Sequence, residues 1–325
     1  MEKIKWGIIG AGGIANKFVE SLKSIEDAEL TAVGSRDAGR AAGYAGKYGA
    51  KRYYGSYEEL VKDPDIDIIY VATPHSAHFD CTMMCLKAGK AVLCEKPFTI
   101  NASQAKLLVH TAREQKVFLM EAMWTRYLPA IVKVRELLAS GAIGEVKMVK
   151  ADFGFRTELI PEARLFNPQL GGGALLDVGI YPLSFASMIL GSKPLKAAGM
   201  SHIGITGVDE QCAFILAYED GRLAVLSAAV RTSTPQDAWV LGTDGHIRIP
   251  GFWHADSIEI NRNGKVDVLK LPFISNGYAH EAIEAMDCLR SGKPESPVMP
   301  LDETVDLMQV LDGLRLQMGL KYPGE

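Results

Sequence analysis

The sequence has little that would point to a membrane, a nucleic acid or an oxidising compartment. Net charge is −4 over 325 residues, so no basic excess is available to neutralise phosphates or an anionic bilayer. No uninterrupted apolar run approaches the roughly 20 residues of a bilayer span. The start, Met1-Glu2-Lys3-Ile4-Lys5-Trp6, is strand-like and lacks the apolar stretch and cleavage site of a signal peptide. Five cysteines (Cys81, Cys85, Cys94, Cys212 and Cys288) form no CxxC pair and are odd in number, which suits reduced thiols in a cytosolic protein. Internal repeats and low-complexity segments are also missing. The expectation is a cytoplasmic protein that binds neither nucleic acid nor membrane. Hydrophobic residues make up 48% and charged residues 23%, an ordinary globular balance, and the length allows two domains with a sizeable core.

What is present is an alternation. Apolar strand patterns at 5–10, 30–35, 66–72, 91–94 and 117–121 alternate with helical patterns at 13–24, 38–48, 76–88 and 102–114. Such alternation predicts a parallel sheet covered on both faces. After residue 122 the pattern changes to a helix (129–140), a strand (146–155), an irregular loop (156–171) and a long apolar helix (173–190). Several strands follow, joined by turn signals at Glu219-Asp220-Gly221, Thr243-Asp244-Gly245 and Asn263-Gly264. Two amphipathic helices, 278–291 and 302–318, close the chain. The expected division is 1–122 and 123–325, with the terminal helix able to pack back on the first domain. The second domain reads as α+β with a mainly antiparallel open sheet. Residues 223–230 are apolar or small at both parities. Both faces of that strand are therefore expected to be covered, either within one chain or by a second subunit in a homodimer or higher oligomer.

The first strand runs into Gly10-Ala11-Gly12-Gly13-Ile14-Ala15, which fits G-x-G-x-x-A. Gly10 allows the tight turn, Gly12 lets the backbone approach a pyrophosphate, and Ala15 permits close helix–strand packing. The helix beginning at Gly13 and Ile14 offers free N–H groups to the anion. This predicts a Rossmann domain binding a dinucleotide. At the end of the second strand Ser35 stands where NAD sites place an acid, and Arg36 follows. An arginine there can pair with a 2′-phosphate, which favours NADP; Asp37 and Arg40 leave NAD open.

Other strand ends carry the candidate chemistry. Lys96, in Glu95-Lys96-Pro97, sits where a buried strand leaves the core, facing whatever the glycine loop holds. Thr73 and Pro74 end the third strand and are candidate walls for the nicotinamide. His75 reads either as a base or as a helix-start contact to the cofactor, and His78 lies one turn on. His78, Cys81 and Cys85 share a helix face, but no fourth ligand is evident, so no metal is expected. On the long helix Asp177 and Tyr181 are four apart and share one face. Tyrosine's ordinary pKa is near 10, and a neighbouring ammonium would lower it into use as an acid or base. The competing reading of Tyr181 is a core aromatic with a satisfied hydroxyl.

Taken together, Gly10–Ala15, Glu95-Lys96-Pro97 and Asp177-x-Gly179-x-Tyr181 resemble the Gfo/Idh/MocA oxidoreductases over essentially the whole chain. Glu121-Ala122-Met123-Trp124-Thr125-Arg126 and Leu175–Tyr181 are similar to the branch of dimeric dihydrodiol dehydrogenases and NADP-dependent xylose dehydrogenases. The resemblance implies hydride transfer between NAD(P) and a carbon bearing a hydroxyl or carbonyl. It implies a catalytic pair at Lys96 and Tyr181, a cis Lys96–Pro97 bond, and dimerisation through the open sheet. Tyr181 stands where many sugar and inositol members carry histidine. For oxidation, Tyr181 is expected to take the hydroxyl proton while Lys96 binds the same oxygen and Asp177 orients Lys96 or a substrate hydroxyl. Gly10, Gly12, Gly13, Ile14, Ala15, Ser35, Arg36, Thr73, Pro74, His75, His78, Glu95 and Lys96 are the expected cofactor residues. Trp124, Arg126, Phe155, Arg156 and Asn167 are the candidate substrate wall, for a sugar, polyol or diol. A non-catalytic NAD(P)-binding regulator is the alternative.

Overall fold

In a computed structural model that describes residues 2–325, the chain forms two compact units. The first is residues 2–124 with Ile274–Val305, and the second is Thr125–Phe273 with Asp306–Glu325. The sequence-based division put everything after 122 in the second domain; the stretch Ile274–Val305 joins the first instead. The reason is specific polar pairing. Ser21 donates to Asn276 and accepts from the Ala279 N–H, and Arg290 pairs with Asp27 at 2.7 Å.

The first unit is a six-stranded parallel sheet. Its strands are β1 (Ile4–Ile9), β2 (Ala28–Gly34), β3 (Arg52–Tyr54), β4 (Ile68–Val71), β5 (Ala91–Glu95) and β6 (Leu119–Ala122), in the order β3-β2-β1-β4-β5-β6. Helices α1 (Gly13–Leu22), α2 (Ala38–Tyr48), α4 (His78–Lys87) and α5 (Ala102–Gln115) connect the strands, and α8 (Ala279–Arg290) belongs to the same unit. Short β3 and one-turn α3 (Tyr57–Leu60) carried too few residues for a periodic signal and were not anticipated. Asn101 accepts from the Gln104 N–H at 3.0 Å, and the Gln104 side chain reaches back to the Ile100 N–H at 3.2 Å, a capping box shifted by one residue. The core is aromatic on one side, where Trp6, Phe18 and Tyr70 pack ring to ring.

The second unit is an eight-stranded mixed sheet. It comprises β7 (Val146–Gly154), β8 (Lys196–Ile203), β9 (Asp209–Ala217), β10 (Leu223–Ala229), β11 (Ala238–Gly242), β12 (Gly245–Ile249), β13 (Ser257–Arg262) and β14 (Lys265–Lys270), in the order β14-β13-β12-β11-β7-β10-β9-β8. Only the β7–β10 pair is parallel. The expected turns are present: Asp220, Gly221, Asn263 and Gly264 all have positive φ, between 52° and 79°. Helix α6 (Pro129–Ala139) and helix α7 (Ile180–Leu190) accompany the sheet, and α9 (Leu301–Met318) ends the chain's helices. Gly179 lets the helix entering α7 press onto β10: a Cβ there would sit 3.4 Å from Ala228 Cβ.

One expectation needs correcting. The helical stretch Pro168–Leu190 does have the length and mean hydropathy, 1.5, of a membrane span. Of the 18-residue window that meets this test, 89% is buried inside the protein, because the helix packs on the second sheet.

Candidate active site

Parallel pairing lines up the carboxyl ends of the first sheet. Ile9 pairs with Val71, Val71 with Cys94, and Cys94 with Glu121. The residues that follow, Gly10, Ala72–Pro74 and Glu95–Lys96, therefore share one edge, next to the switch point between β1 and β4. Gly10 has φ +97°, and a Cβ on it would lie 2.7 Å from the Ala72 carbonyl oxygen. Gly13 has nothing within 4 Å of its Cβ position, and Gly12 only Ala72 O at 3.9 Å. Helix α1 has no side-chain cap and no acid in its first turn, so its N–H groups and dipole are open to an anion. Ile14 is half-buried and Ala15 fully buried beneath the loop. This cradle fits a dinucleotide pyrophosphate.

At the end of β2, Ser35 is buried and its Oγ accepts from the Asp37 N–H at 3.3 Å, while Arg36 is exposed. Asp37 caps α2 through the Arg40 N–H at 2.7 Å. The Arg40 guanidinium donates to Ala11 O at 2.8 Å, which brings this arginine onto the glycine loop. The Arg36/Arg40 spacing of one helical turn is the sequence signal for this pair.

The Lys96–Pro97 bond is cis, and Lys96 is half-buried. The turn around it is tightly held. Glu95 accepts from Tyr70 Oη and from the Lys96 N–H, the latter at 3.1 Å. Glu121 accepts from the Phe98 N–H at 3.2 Å and from the Thr304 hydroxyl at 2.9 Å. His78 is fully buried, with Nδ1 2.8 Å from Pro97 O and Nε2 2.9 Å from Thr73 O. Burial, with the charges of His75 and Lys96 nearby, lowers its pKa from 6.5 to about 3, so the ring is neutral and donates to one carbonyl at a time. His78 thereby ties the ends of β4 and β5 together at the edge where it and Glu95 are expected to meet the cofactor. Thr73 and His75 are buried and Pro74 half-buried at that edge. Among the described residues no group of three or more His, Cys, Asp or Glu is placed to hold a metal ion.

In the second unit the helix carrying Asp177 and Tyr181 begins with a π-wound turn, Leu175–Gly179, a feature common at functional sites. Asp177 is buried and accepts from Arg164 Nη1 at 2.9 Å. That partner was missed by sequence reasoning, because residue 164 lies in the irregular loop. Tyr181 packs edge-on to Phe153, with ring centroids 5.2 Å apart; Phe155 and Trp253 extend the aromatic cluster. Phe155 is half-buried, Arg156 is exposed, and Asn167 spends its Oδ1 on the Gln169 N–H at 2.9 Å. The other two wall candidates are buried and held by neighbours. Arg126 is 2% exposed and pinned to Ser184 by Nε–Oγ and Nη2–O hydrogen bonds of 2.9 Å. Trp124, in the first unit, is equally buried and stacks on Tyr278 at 4.3 Å.

A parallel sheet in Rossmann order with an open glycine cradle, joined in sequence to a mixed-sheet domain, defines a dinucleotide-dependent oxidoreductase. Residues 4–123 match the oxidoreductase family, NAD-binding Rossmann fold, and residues 131–248 match the GFO/IDH/MocA C-terminal domain. The chain belongs to the GFO/IDH/MocA oxidoreductase family. It is 41% identical over 329 residues to trans-1,2-dihydrobenzene-1,2-diol dehydrogenase of Xenopus tropicalis, covering 98% of this chain and 99% of that one. It is 36% identical to the human enzyme of the same name, over 98% of both chains. Among solved structures it resembles KijD10, a 3-ketoreductase from Actinomadura kijaniata in complex with NADP and TDP-benzene, with a TM-score of 0.88 and 25% identity over 98% of each chain.

Proposed function

We propose that this enzyme transfers hydride between NADP and a hydroxyl- or carbonyl-bearing carbon of a dihydrodiol, sugar or polyol. Full-length similarity of 36–41% to dihydrodiol dehydrogenases carries this reading. NADP is favoured because Arg36 follows Ser35 at the end of β2, Arg40 reaches Ala11 O on the glycine loop, and no acid stands at Ser35. The nicotinamide supplies the hydride acceptor or donor. In oxidation the substrate hydroxyl proton passes to Tyr181 as phenolate, and Lys96 hydrogen-bonds the same oxygen as the C=O bond forms. Asp177, anchored by Arg164, orients Lys96 or a substrate hydroxyl. Trp124, Arg126, Phe155, Arg156 and Asn167 are the candidate substrate contacts. The 3-ketoreductase has also been solved with one lysine replaced and with one tyrosine replaced, the same residue types as this pair.

A homodimer through the second sheet and a cytoplasmic setting complete the proposal. All five cysteines are buried and free, which suits a reducing compartment. Nicotinamide absorbance, followed with NADP and NAD across trans-dihydrodiols, aldoses and dicarbonyls, tests substrate and cofactor together. The Lys96→Met variant is expected to bind NADP normally and to lose turnover by about 100-fold or more. Undiminished turnover by that variant, or cofactor binding with no turnover on any panel member, would sink the reading.

A further inference from the structure

The helix that presents Asp177 and Tyr181 begins without a capping side chain of its own. Gly171, Gly172 and Gly173 lead into it. A Cβ on Gly172 would lie 2.6 Å from Leu165 O. Gly173 has φ +114°, a conformation that side chains rarely adopt, and a Cβ there would overlap Oδ1 of Asp209. The space a side chain would take at the head of this helix is thus filled by a carboxylate from another element.

Asp209 opens β9, 34 residues downstream of the amide it binds, and is completely buried. Its Oδ2 accepts from the Leu175 N–H at 2.7 Å. That N–H is one of the first-turn donors an α-helix cannot satisfy internally. Tyr322 holds the glycine lead-in beside it, donating to Gly172 O at 2.6 Å. The Arg315 guanidinium lies 5.2 Å from the Tyr322 ring and is itself paired with Glu325 and Asp312 at 2.7 Å. The turn being held, Leu175–Gly179, is the π-wound one. Its winding sets the angular position of Asp177 and, two residues past its end, of Tyr181.

A buried carboxylate is costly in a core, and a cap between neighbouring residues would need no such burial. We propose that Asp209 is a positioning residue of this enzyme, holding the first turn of the helix in the winding that presents Asp177 and Tyr181. The proposal rests on the reading of Tyr181 as the proton carrier, and its test separates the two.

Asp209→Ala, Asp209→Asn and Tyr181→Phe are compared by steady-state kinetics, NADPH fluorescence titration and hydrogen exchange of the amides at 174–178. Asp209→Ala is expected to lower kcat about tenfold, matching a lost cap of about 1.4 kcal/mol. Its NADPH affinity should stay unchanged, and exchange at 174–178 should be faster. Asp209→Asn keeps an oxygen acceptor for the Leu175 N–H and is expected to restore both readouts. Normal kcat in Asp209→Ala overturns the proposal, as does lost turnover with unchanged exchange. If Asp209→Ala does not fold, Asp209→Asn decides: loss of either protection or turnover in that variant shows that a hydrogen-bond cap is not what Asp209 supplies. Full turnover by Tyr181→Phe overturns the Tyr181 reading alone, and the exchange data then judge the cap separately.

Discussion

At the scale of single residues, polar groups near the glycine loop divide into those left at the edge and those consumed in building it. His78 is the clearest of the second kind. Its ring is wedged between two carbonyls, from Thr73 and Pro97, and its pKa is lowered to about 3. The folded-state value lies below the unfolded value of 6.5, so its stabilising contribution is complete above about pH 6.5 and is lost as pH falls toward 3. The expected slope is about 1.4 kcal/mol per pH unit within that window. Urea denaturation at pH 4 to 7 checks this: His78→Gln should be less stable than wild type at pH 7 and close the gap as pH falls. A gap that is constant with pH would rule it out. Glu281 illustrates the opposite sign. It is fully buried on α8, and burial with the Glu95 charge nearby raises its pKa well above the carboxylate range. Its neutral form suits the fold, and the stability it contributes falls as pH rises.

At the scale of elements, the decisive piece is the helix running from Ala174 through Leu190. Its apolar composition made it visible as a helix, but not the π turn at its start or the partners that impose it. Gly179 shows how little room there is, with Ala228 Cβ and Leu175 Cδ1 both within 3.4 Å of its Cβ position. Gly179→Val adds methyl groups to that contact and is expected to cost about 1–3 kcal/mol. It should also reduce kcat, while NADP affinity, which depends on the glycine loop, stays as in wild type. Thermal melting and fluorescence titration read the two effects. A native melting temperature with native kcat would show that helix and sheet can separate freely.

At the scale of the whole molecule, the second sheet has one face covered by its own helix and one that is not. On β10, Ala224, Leu226 and Ala228 are buried while Val225 is 38% exposed. Across the neighbouring strands Ile215 is 48% and Met200 81% exposed. The sequence predicted cover on both sides of this strand, and within one chain only one side has it. An isologous dimer would cover the other side. Ile215→Glu is expected to shift the protein toward monomer in analytical ultracentrifugation, with NADP binding retained. Wild type sedimenting as a monomer at micromolar concentration would exclude this use of the face.

Much of this was legible in the residues themselves, and the division follows range of interaction. The glycine loop, the alternation of strands and helices, the Asn263-Gly264 hairpin and the Asn101 cap are written in neighbouring positions, because turns, caps and periodicity are local. By itself the sequence determined a dinucleotide-binding domain, a second α+β domain with a mainly antiparallel sheet, and the candidate pair Lys96 and Tyr181. Only the tertiary structure decided that Arg126 pairs with Ser184 and His78 with Thr73 and Pro97, that Arg164 partners Asp177, and that Asp209 heads the Tyr181 helix. Those outcomes depend on which buried polar group finds which partner across 5, 13, 34 or 58 residues of chain. Burial makes each partnership obligatory, but the choice of partner is made in space.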